Sequence, residues 1–241
     1  MKLNRIAQVF LLAIVAAAFV LAEPTGPTSP ITPISTGRYS TSSAQTHGAI
    51  AGNVTEINLN ANTITQSWQG YFGNITGTVV LGDSSNNTFY DWSLSSPQGE
   101  IYATRLASTP TWATVGCANS THINSEDTAL GIDQANDADA VNKTFLNTTN
   151  FSPFYVGSVL INQSSQNCYA TYLYNNTGAQ STYFPEVLLS DTAGNMIYTG
   201  LVENNAMGFN NRTHDFEILV GENGHSGDAA TTTYYFYLEL E

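Results

Sequence analysis

Short segments rich in aromatic and β-branched residues recur along this chain, and clusters of Gly, Asn, Ser and Asp separate them. The segment 231–240 is the most strongly patterned, because it sets Tyr234, Phe236 and Tyr237 beside β-branched or other strand-forming neighbours. Comparable strands are predicted at 99–105, 154–162, 168–174, 184–190, 195–203 and 214–220. Short strands with turns at regular spacing are typical of sandwiches. We therefore predict an all-β fold, an antiparallel β-sandwich of the jelly-roll-like kind.

Two of these patterns are adjacent and predict a hairpin over 67–94. Residues 67–81 carry Trp68, Tyr71 and Phe72, residues 82–87 are turn formers, and residues 88–94 carry Tyr90 and Trp92. Two aromatic strands separated by a turn rich in Gly, Asp and Ser indicate a β-hairpin.

One stretch departs from the strand pattern. Ser125, Glu126 and Asp127 resemble a helix start, with acids at the positive end of the helix dipole. Apolar residues then recur every three or four positions up to Phe145. We predict one or two short helices near 125–146, interrupted at Gly131, in a crossover between the sheets.

The N-terminus has the features of a secretory signal peptide. Lys2 and Arg5 precede an apolar run over 6–21, small residues end at Ala22, and Pro24 breaks the segment. The pattern predicts cleavage after Ala22. The apolar run of about 16 residues is shorter than the ~20 that span a bilayer. The competing interpretation is a pilin-type signal, whose apolar helix is kept in a filament core. We expect a secreted, cell-surface protein without a membrane span in the mature chain.

Residues 23–46 are rich in Pro, Ser, Thr and Gly, so they are expected to be extended rather than to form a core. This N-terminal arm is either a flexible linker or O-glycosylated stalk, or a segment that docks elsewhere. The alternation of Ile57 and Leu59 with Asn58 and Asn60 predicts a half-buried strand shortly after it. The predicted organisation is a signal peptide at 1–22, the arm at 23–46 and a single β-sandwich domain at 47–241.

The chain carries ten Asn-x-Ser/Thr triplets without proline in the middle, which are acceptors for N-linked glycans in an exported protein. With 24 Asn and about a fifth of the residues Ser or Thr, roughly five triplets are expected by chance. The excess predicts a heavily glycosylated surface. The predicted sites are Asn53, Asn74, Asn86, Asn119, Asn142, Asn147, Asn150, Asn162, Asn175 and Asn211.

The charge balance limits the possible partners. Removing residues 1–22 leaves four basic and 19 acidic residues, a formal charge of −15. Such a surface lacks the cations that bind phosphates, which excludes nucleic acid and anionic lipid as partners.

Cys117 and Cys168 are the only two cysteines. In an exported chain they are expected to form a disulfide. Closing a loop of about 50 residues contributes roughly 4 kcal/mol in the chain-entropy model. The alternative, a free nucleophilic thiol, needs a nearby His that the sequence does not mark.

No catalytic motif is recognisable, and the four histidines are not at metal-ligand spacing. We predict no enzymatic activity and no cofactor besides glycans. The densest acidic cluster contains Asp127, Asp133, Asp137 and Asp139. A solvated helix face is the preferred interpretation, because the spacing is not that of an EF-hand. Asp133, Asp137 and Asp139 remain weak candidates for a Ca²⁺ site.

Three tryptophans could belong to a core or to a sugar-binding platform. Trp68 and Trp92 lie within apolar strand patterns, so we expect them to pack in the core. Trp112 is the candidate for a sugar platform.

Three segments carry a resemblance to a known group of proteins. They are WQGYFGNITG at 68–77, FYDW at 89–92 and GEIYATR at 99–105. Here, and through Asp137, Asp139, Asp215 and Glu217 to the aromatic C-terminal strand, the chain resembles uncharacterised secreted archaeal cell-surface proteins. The resemblance covers most of the mature chain and implies a setting outside the cytoplasm. More loosely, the architecture is similar to archaeal filament subunits that join by donor-strand exchange.

These patterns favour a structural subunit of an extracellular, glycosylated filament or surface layer. Its partners would be other copies of itself, in a homopolymer. The arm and strand over 23–62 would supply a strand, and the sheet edge next to the C-terminal strand would accept it. The alternative function is a monomeric cell-surface adhesin or carbohydrate-binding module.

Overall fold

The computed structural model of the protein describes residues 23–178, 183–224 and 231–240. The predicted signal peptide at 1–22 lies outside them. The described chain is mostly antiparallel strands with three short α-helices, so the predicted all-β, sandwich-like class is confirmed. The jelly-roll connectivity stays a prediction.

The strands are β1 (Trp68–Gly73), β2 (Thr78–Gly82), β3 (Thr88–Ser93), β4 (Gly99–Thr104), β5 (Gly116–Cys117), β6 (Phe154–Val156), β7 (Val159–Ile161), β8 (Ala170–Tyr172), β9 (Pro185–Ser190), β10 (Met196–Leu201), β11 (Ala206–Met207), β12 (Thr213–His214), β13 (Phe216–Gly221) and β14 (Tyr235–Leu240). The helices are α1 (Ser120–Ala129), α2 (Val141–Thr144) and α3 (Gln163–Gln166), and a 3₁₀ turn spans Trp112–Thr114.

The main sheet has six strands in the order β14-β4-β10-β9-β5, with β8 also paired to β9. Every residue of β9 is buried, because both faces of the sheet are covered. Side chains alternate between two core clusters: Leu188 and Tyr198 point to one, and Val187, Leu189 and Ile197 point to the other.

The first face is covered by a two-stranded ribbon of β1 and β13 and by α1 and α2. Trp68 of β1 packs against Phe145 with ring centroids 5.7 Å apart, and its indole N–H donates to the Asp139 carbonyl at 2.6 Å. The prediction that Trp68 belongs to the core is thus confirmed, although the side chain is only half-buried.

The second face is covered by the β6–β7 hairpin and the 3₁₀ turn. The predicted disulfide between Cys117 and Cys168 is confirmed, with the two Cα atoms 4.9 Å apart. It joins β5 to the segment before β8, and both of these strands pair with β9.

Two strand predictions are wrong in their boundaries. The hairpin predicted over 67–94 is only β2–β3, because the chain breaks after Gly73 and β1 pairs with β13 instead. The Asp215 carboxylate, which accepts the Ile75 amide at 2.8 Å, stabilises this break. The strand predicted at 154–162 is two strands, since Gly157 turns the chain with a φ of +53°.

The helical stretch lies where it was predicted, but α1 begins five residues earlier. Asn119 caps it, because its side-chain oxygen accepts the Thr121 and His122 amides at 2.9 and 3.1 Å. The interruption falls at Gly131, with a φ of +69°, as predicted. Glu126 and Asp127 therefore lie inside or near the end of the helix and are buried.

Candidate assembly site

The N-terminal arm and the residues after it form a long loop outside the core. Every residue from 25 to 63 is exposed. The Asn53 amide donates to the Ile50 carbonyl at 3.2 Å and closes a turn, and the Asn62 side chain donates to the Tyr39 hydroxyl at 3.1 Å. The loop thus has an outgoing leg before this turn and a returning leg that begins at residue 53. Its exposed large apolar side chains are Ile31, Ile34, Tyr39, Ile50, Val54, Ile57 and Leu59.

The half-buried strand predicted near Ile57 and Leu59 is wrong for the single chain. No strand forms there, and Leu59 is 86% exposed. The alternation encodes a face that can be buried, but a strand needs a neighbour for its backbone hydrogen bonds. This segment has no such neighbour within the described chain.

The outer edge of β14 is occupied at one position by the start of the arm. The Thr25 amide donates to the Leu238 carbonyl at 2.9 Å, and the Leu238 amide donates back to Thr25 at 2.8 Å. This is an antiparallel bridge. The edge of β14 is therefore able to accept a strand from the N-terminal segment.

The bridge does not extend along β14. Hydrogen-bonding direction alternates along a strand, so Phe236 also turns its N–H and C=O outward. Continuing the register places Pro27 opposite Phe236, and proline has no N–H to donate. Among the described residues, the backbone of Phe236 has no partner on this edge.

Other sheet edges are closed by specific contacts. On β13, the Leu219 amide donates to the Glu186 carboxylate at 2.8 Å. Burial raises the pKa of Glu186 well above its usual range, which favours the neutral acid. At the far end of the main sheet, Leu146 and Ala170 form an isolated bridge. Within the described residues, β14 thus offers the more open edge of the main sheet.

An open groove of about 2090 Å³ runs beside β1 and reaches Tyr234, next to β14. Gly70, Phe72, Leu219 and Glu217 line it, because Gly70 pairs with Leu219 and Phe72 with Glu217 on the ribbon. Residues 36–39 and 61–66 of the same chain also line it, so the groove lies between the N-terminal loop and the ribbon.

Tyr71, which lines the groove, connects the ribbon to β14. The Tyr71 ring packs edge-on against Phe236 with centroids 5.3 Å apart. Burial raises the pKa of Glu217 to about 7, and its carboxylate accepts the Phe209 amide at 3.0 Å. The groove lining also contains Arg38, Asp139, Lys143 and Glu222, so it carries charges of both signs beside an acid, Glu217, whose charge is suppressed below neutral pH.

The β2–β3 hairpin is a second surface outside the core, since all residues of both strands are exposed. Trp92 is 50% exposed, so the prediction that it packs in the core is wrong. Trp112 is 3% exposed and packs between Tyr102 and Tyr237, so it cannot be a sugar platform. The local sequence pattern gave the wrong environment for both tryptophans, because burial depends on whether another layer of the fold covers the side chain.

The ten glycosylation triplets differ in accessibility. Asn175 is only 8% exposed, and its side-chain oxygen accepts the Thr177 amide and hydroxyl. Exposed acceptors are Asn53, Asn74, Asn86, Asn119, Asn150 and Asn211, and half-buried ones are Asn142, Asn147 and Asn162.

Several of these asparagines also have structural roles. Asn119 and Asn162 cap helices through their oxygens, which leaves the side-chain nitrogen for a glycan. Asn86 and Asn211 have φ values of 62° and 61°, a conformation that Asn adopts more readily than most residues. The excess of asparagine therefore has a conformational component, and occupancy by glycans stays a prediction.

The acidic candidates for Ca²⁺ are engaged in separate contacts. Asp133 accepts the Ala135 and Asn136 amides, Asp137 accepts the Asp133 amide, and Asp139 accepts the Thr65 hydroxyl. Within the described ranges, no three His, Cys, Asp or Glu side chains are grouped to hold a metal ion. The Ca²⁺ prediction gains no support.

The structure also brings together a Ser–His pair that sequence reasoning missed. The Ser190 hydroxyl lies 2.8 Å from His122 Nδ1. The same nitrogen accepts the Asn119 amide at 3.3 Å, and Ser190 is buried. The pair therefore anchors the start of α1 to β9. They are 68 positions apart in the sequence, so no local pattern indicated the pair.

Comparison of the chain with protein-family models, curated proteins and solved structures finds no match. The resemblance to archaeal surface proteins accordingly stays a prediction. No helix in the described part of the chain is long and apolar enough to cross a membrane.

Proposed function

We propose that this protein is a structural subunit of an extracellular, glycosylated filament or surface layer, in which copies join by strand insertion. The observation that carries the proposal is the bridge between Thr25 and Leu238. It places an N-terminal segment on the open edge of β14, in the geometry that an inserted strand from another copy would continue.

The returning leg of the loop, from residue 53 to residue 66, is the segment best suited to insertion. Ile57, Leu59 and Ala61 alternate with Asn58 and Asn60, and the leg contains no proline between 53 and 66. Adding this strand beside Phe236 would satisfy its exposed backbone and would bury apolar side chains that are now in water. Repeated head-to-tail insertion that does not close on itself produces a filament.

Charge distribution supports contact through this part of the chain. Residues 24–82 contain Arg38 and Glu56 as their only charged side chains, whereas most of the 19 acidic residues follow. Copies with a mature charge of −15 repel one another, so a contact made by a neutral segment avoids most of that repulsion.

Secretion and glycosylation belong to the same proposal. The signal-like N-terminus, the disulfide and the exposed triplets support an oxidising, extracytoplasmic setting. Glycans at the exposed asparagines would cover much of the surface, whereas the arm at 23–46 and the edge of β14 contain none of the ten triplets and stay free for contacts.

The test uses two full-length variants that add the same charge to opposite sides of one segment. The first carries Ile57→Asp and Leu59→Asp, and the second carries Asn58→Asp and Asn60→Asp. All four positions are exposed in the single chain, so neither variant should unfold it. Electron microscopy and light scattering are expected to show polymers for the native protein and the second variant only.

Two outcomes would contradict the proposal. Equal polymerisation of both variants would show that this leg is not the inserted strand. If the native protein, purified with its glycans, stays monomeric at all concentrations tested, the filament function fails.

The exposed pair Tyr90 and Trp92 keeps a carbohydrate-binding adhesin as the second candidate. Their rings are 4.8 Å apart but tilted by 57°, which departs from a flat stacking platform. Loss of glycan-array binding on Trp92→Ala in a monomeric native protein would favour this alternative.

A further inference from the structure

The β2–β3 hairpin carries one apolar face that no other part of the described chain covers. Residues directly opposite in the register share a face, so Val79 pairs with Trp92 and Leu81 with Tyr90 on the same side. These four side chains are between 47% and 57% exposed. The opposite face carries Val80 beside Asp91, and Phe89, which is 84% exposed, lies at the register shift next to the turn.

A hairpin of this kind is incomplete by itself. Two strands are marginally stable in water unless another strand or layer packs on their apolar face. Both strands here are exposed along their full length. Packing of another strand or layer on the apolar face would therefore stabilise the hairpin.

We propose that this apolar face packs against the same face of the hairpin in a second copy of the chain. The proposal deepens the proposed function by naming a lateral contact between copies, but the contact does not use the arm.

The charge pattern favours a second copy as the occupant. The face has no charged side chain, and the hairpin's two acids, Asp83 and Asp91, lie in the turn and on the other face. Because the mature chain has a formal charge of −15, a contact between two copies meets the least repulsion where both surfaces are neutral. A face of this kind is complementary to itself, which suits a two-fold contact.

The size of the face sets the expected strength. Strands of this length form a face about 17 Å long and 10 Å wide. Two such faces bury less than the ~1,200 Å² of a standard stable interface. The contact should therefore be weak between free copies and should become effective when repeated along a polymer.

Val79 and Val80 provide a matched pair for the test, since they are neighbours of one residue type on opposite faces, 47% and 53% exposed. The described chain has no free cysteine, so Val79→Cys or Val80→Cys adds a single reactive thiol. Each is placed in the full-length Ile57→Asp, Leu59→Asp background and treated with a bis-maleimide longer than the ~10 Å between packed sheets.

We expect at least tenfold more cross-linked dimer for Val79→Cys than for Val80→Cys at high protein concentration, and loss of that excess when Trp92→Asp is added. Equal cross-linking of the two variants, or none in either, would overturn the proposal. Dimer formation that disappears on adding a sugar would assign the face to carbohydrate instead. The cross-linking experiment does not require this background to polymerise. Its result can therefore be interpreted even if the proposed filament function fails.

Discussion

Single residues in this fold often serve a role that their sequence neighbourhood does not reveal. Trp112 follows Pro and Thr in an irregular stretch, yet it fills the space between Tyr102 and Tyr237 under the main sheet. Trp92 has an apolar strand context, yet it lies on an outer face. The difference is set by which layer packs above each side chain.

Substitution of these two tryptophans should therefore have unequal effects. Trp112→Ala is expected to lower the free energy of unfolding by about 3–5 kcal/mol, because it leaves a cavity in the core. Trp92→Ala should change it by about 0.5 kcal/mol, as an exposed substitution does. Urea denaturation of both variants measures the difference, and equal losses would contradict the assignment.

Glu217 predicts a pH dependence of stability. Its pKa is about 7 in the folded protein, against 4.5 for an ordinary glutamate, because burial disfavours the charged form. As the pH rises, Glu217 thus loses its proton at a lower pH in the unfolded state than in the folded state. Its stabilising contribution is complete below pH 4.5 and is lost as the pH rises through 7.

Glu217→Gln should reduce the change in the free energy of unfolding between pH 4.5 and 7. Denaturation midpoints at several pH values provide the measurement, and Glu56→Gln, at an exposed position of the N-terminal loop, is the control. Glu186 still titrates in both variants, so only the difference between them reports on Glu217. Identical pH profiles for Glu217→Gln and the native protein would contradict the prediction.

At the scale of elements, the start of the arm and β14 form a pairing that stops after one bridge. Pro27 would lie opposite Phe236 and has no N–H for the next bond. The proline thus keeps most of the edge available for another strand.

Pro27→Thr should lengthen the chain's pairing with its own β14 and slow polymer growth. Hydrogen exchange at the Leu238 amide would become slower, because the bridge would gain a neighbouring bond. Pro33→Thr, further along the exposed arm, is the matched control and should affect neither measurement. Unchanged exchange and growth for Pro27→Thr would show that the proline does not limit the pairing.

Whole-molecule organisation combines a closed end and an open end of the main sheet. The disulfide and the bridge from Leu146 to Ala170 secure the end beyond β9, while the outer edge of β14 is bridged only at Leu238 within the described chain. Residues 24–82 contain only two charged side chains, whereas most of the acidic residues lie in the remainder of the sequence. Under the proposed function, this asymmetry favours contacts between copies through residues 24–82.

Removing the disulfide tests the closed end. The double variant Cys117→Ser, Cys168→Ser should lose about 4 kcal/mol of stability, because the unfolded chain regains the entropy of a 51-residue separation. Guanidinium unfolding measures the loss, and reduction of the native protein should reproduce it. A loss below about 1 kcal/mol would show that packing around β5 and β8 suffices without the cross-link.

The sequence by itself determined the all-β class, the disulfide pair and the approximate positions of β4, β9 and β10. The class and the strand positions follow from local propensity and periodicity, which act over a few residues. The disulfide follows because two cysteines allow only one pairing. Only the tertiary structure decided that β1 pairs with β13, that Trp112 is buried while Trp92 is exposed, and that Ile57 and Leu59 have no partner strand. Each of these depends on long-range pairing or on coverage by a second layer, and neither is encoded in the residues next to the position concerned.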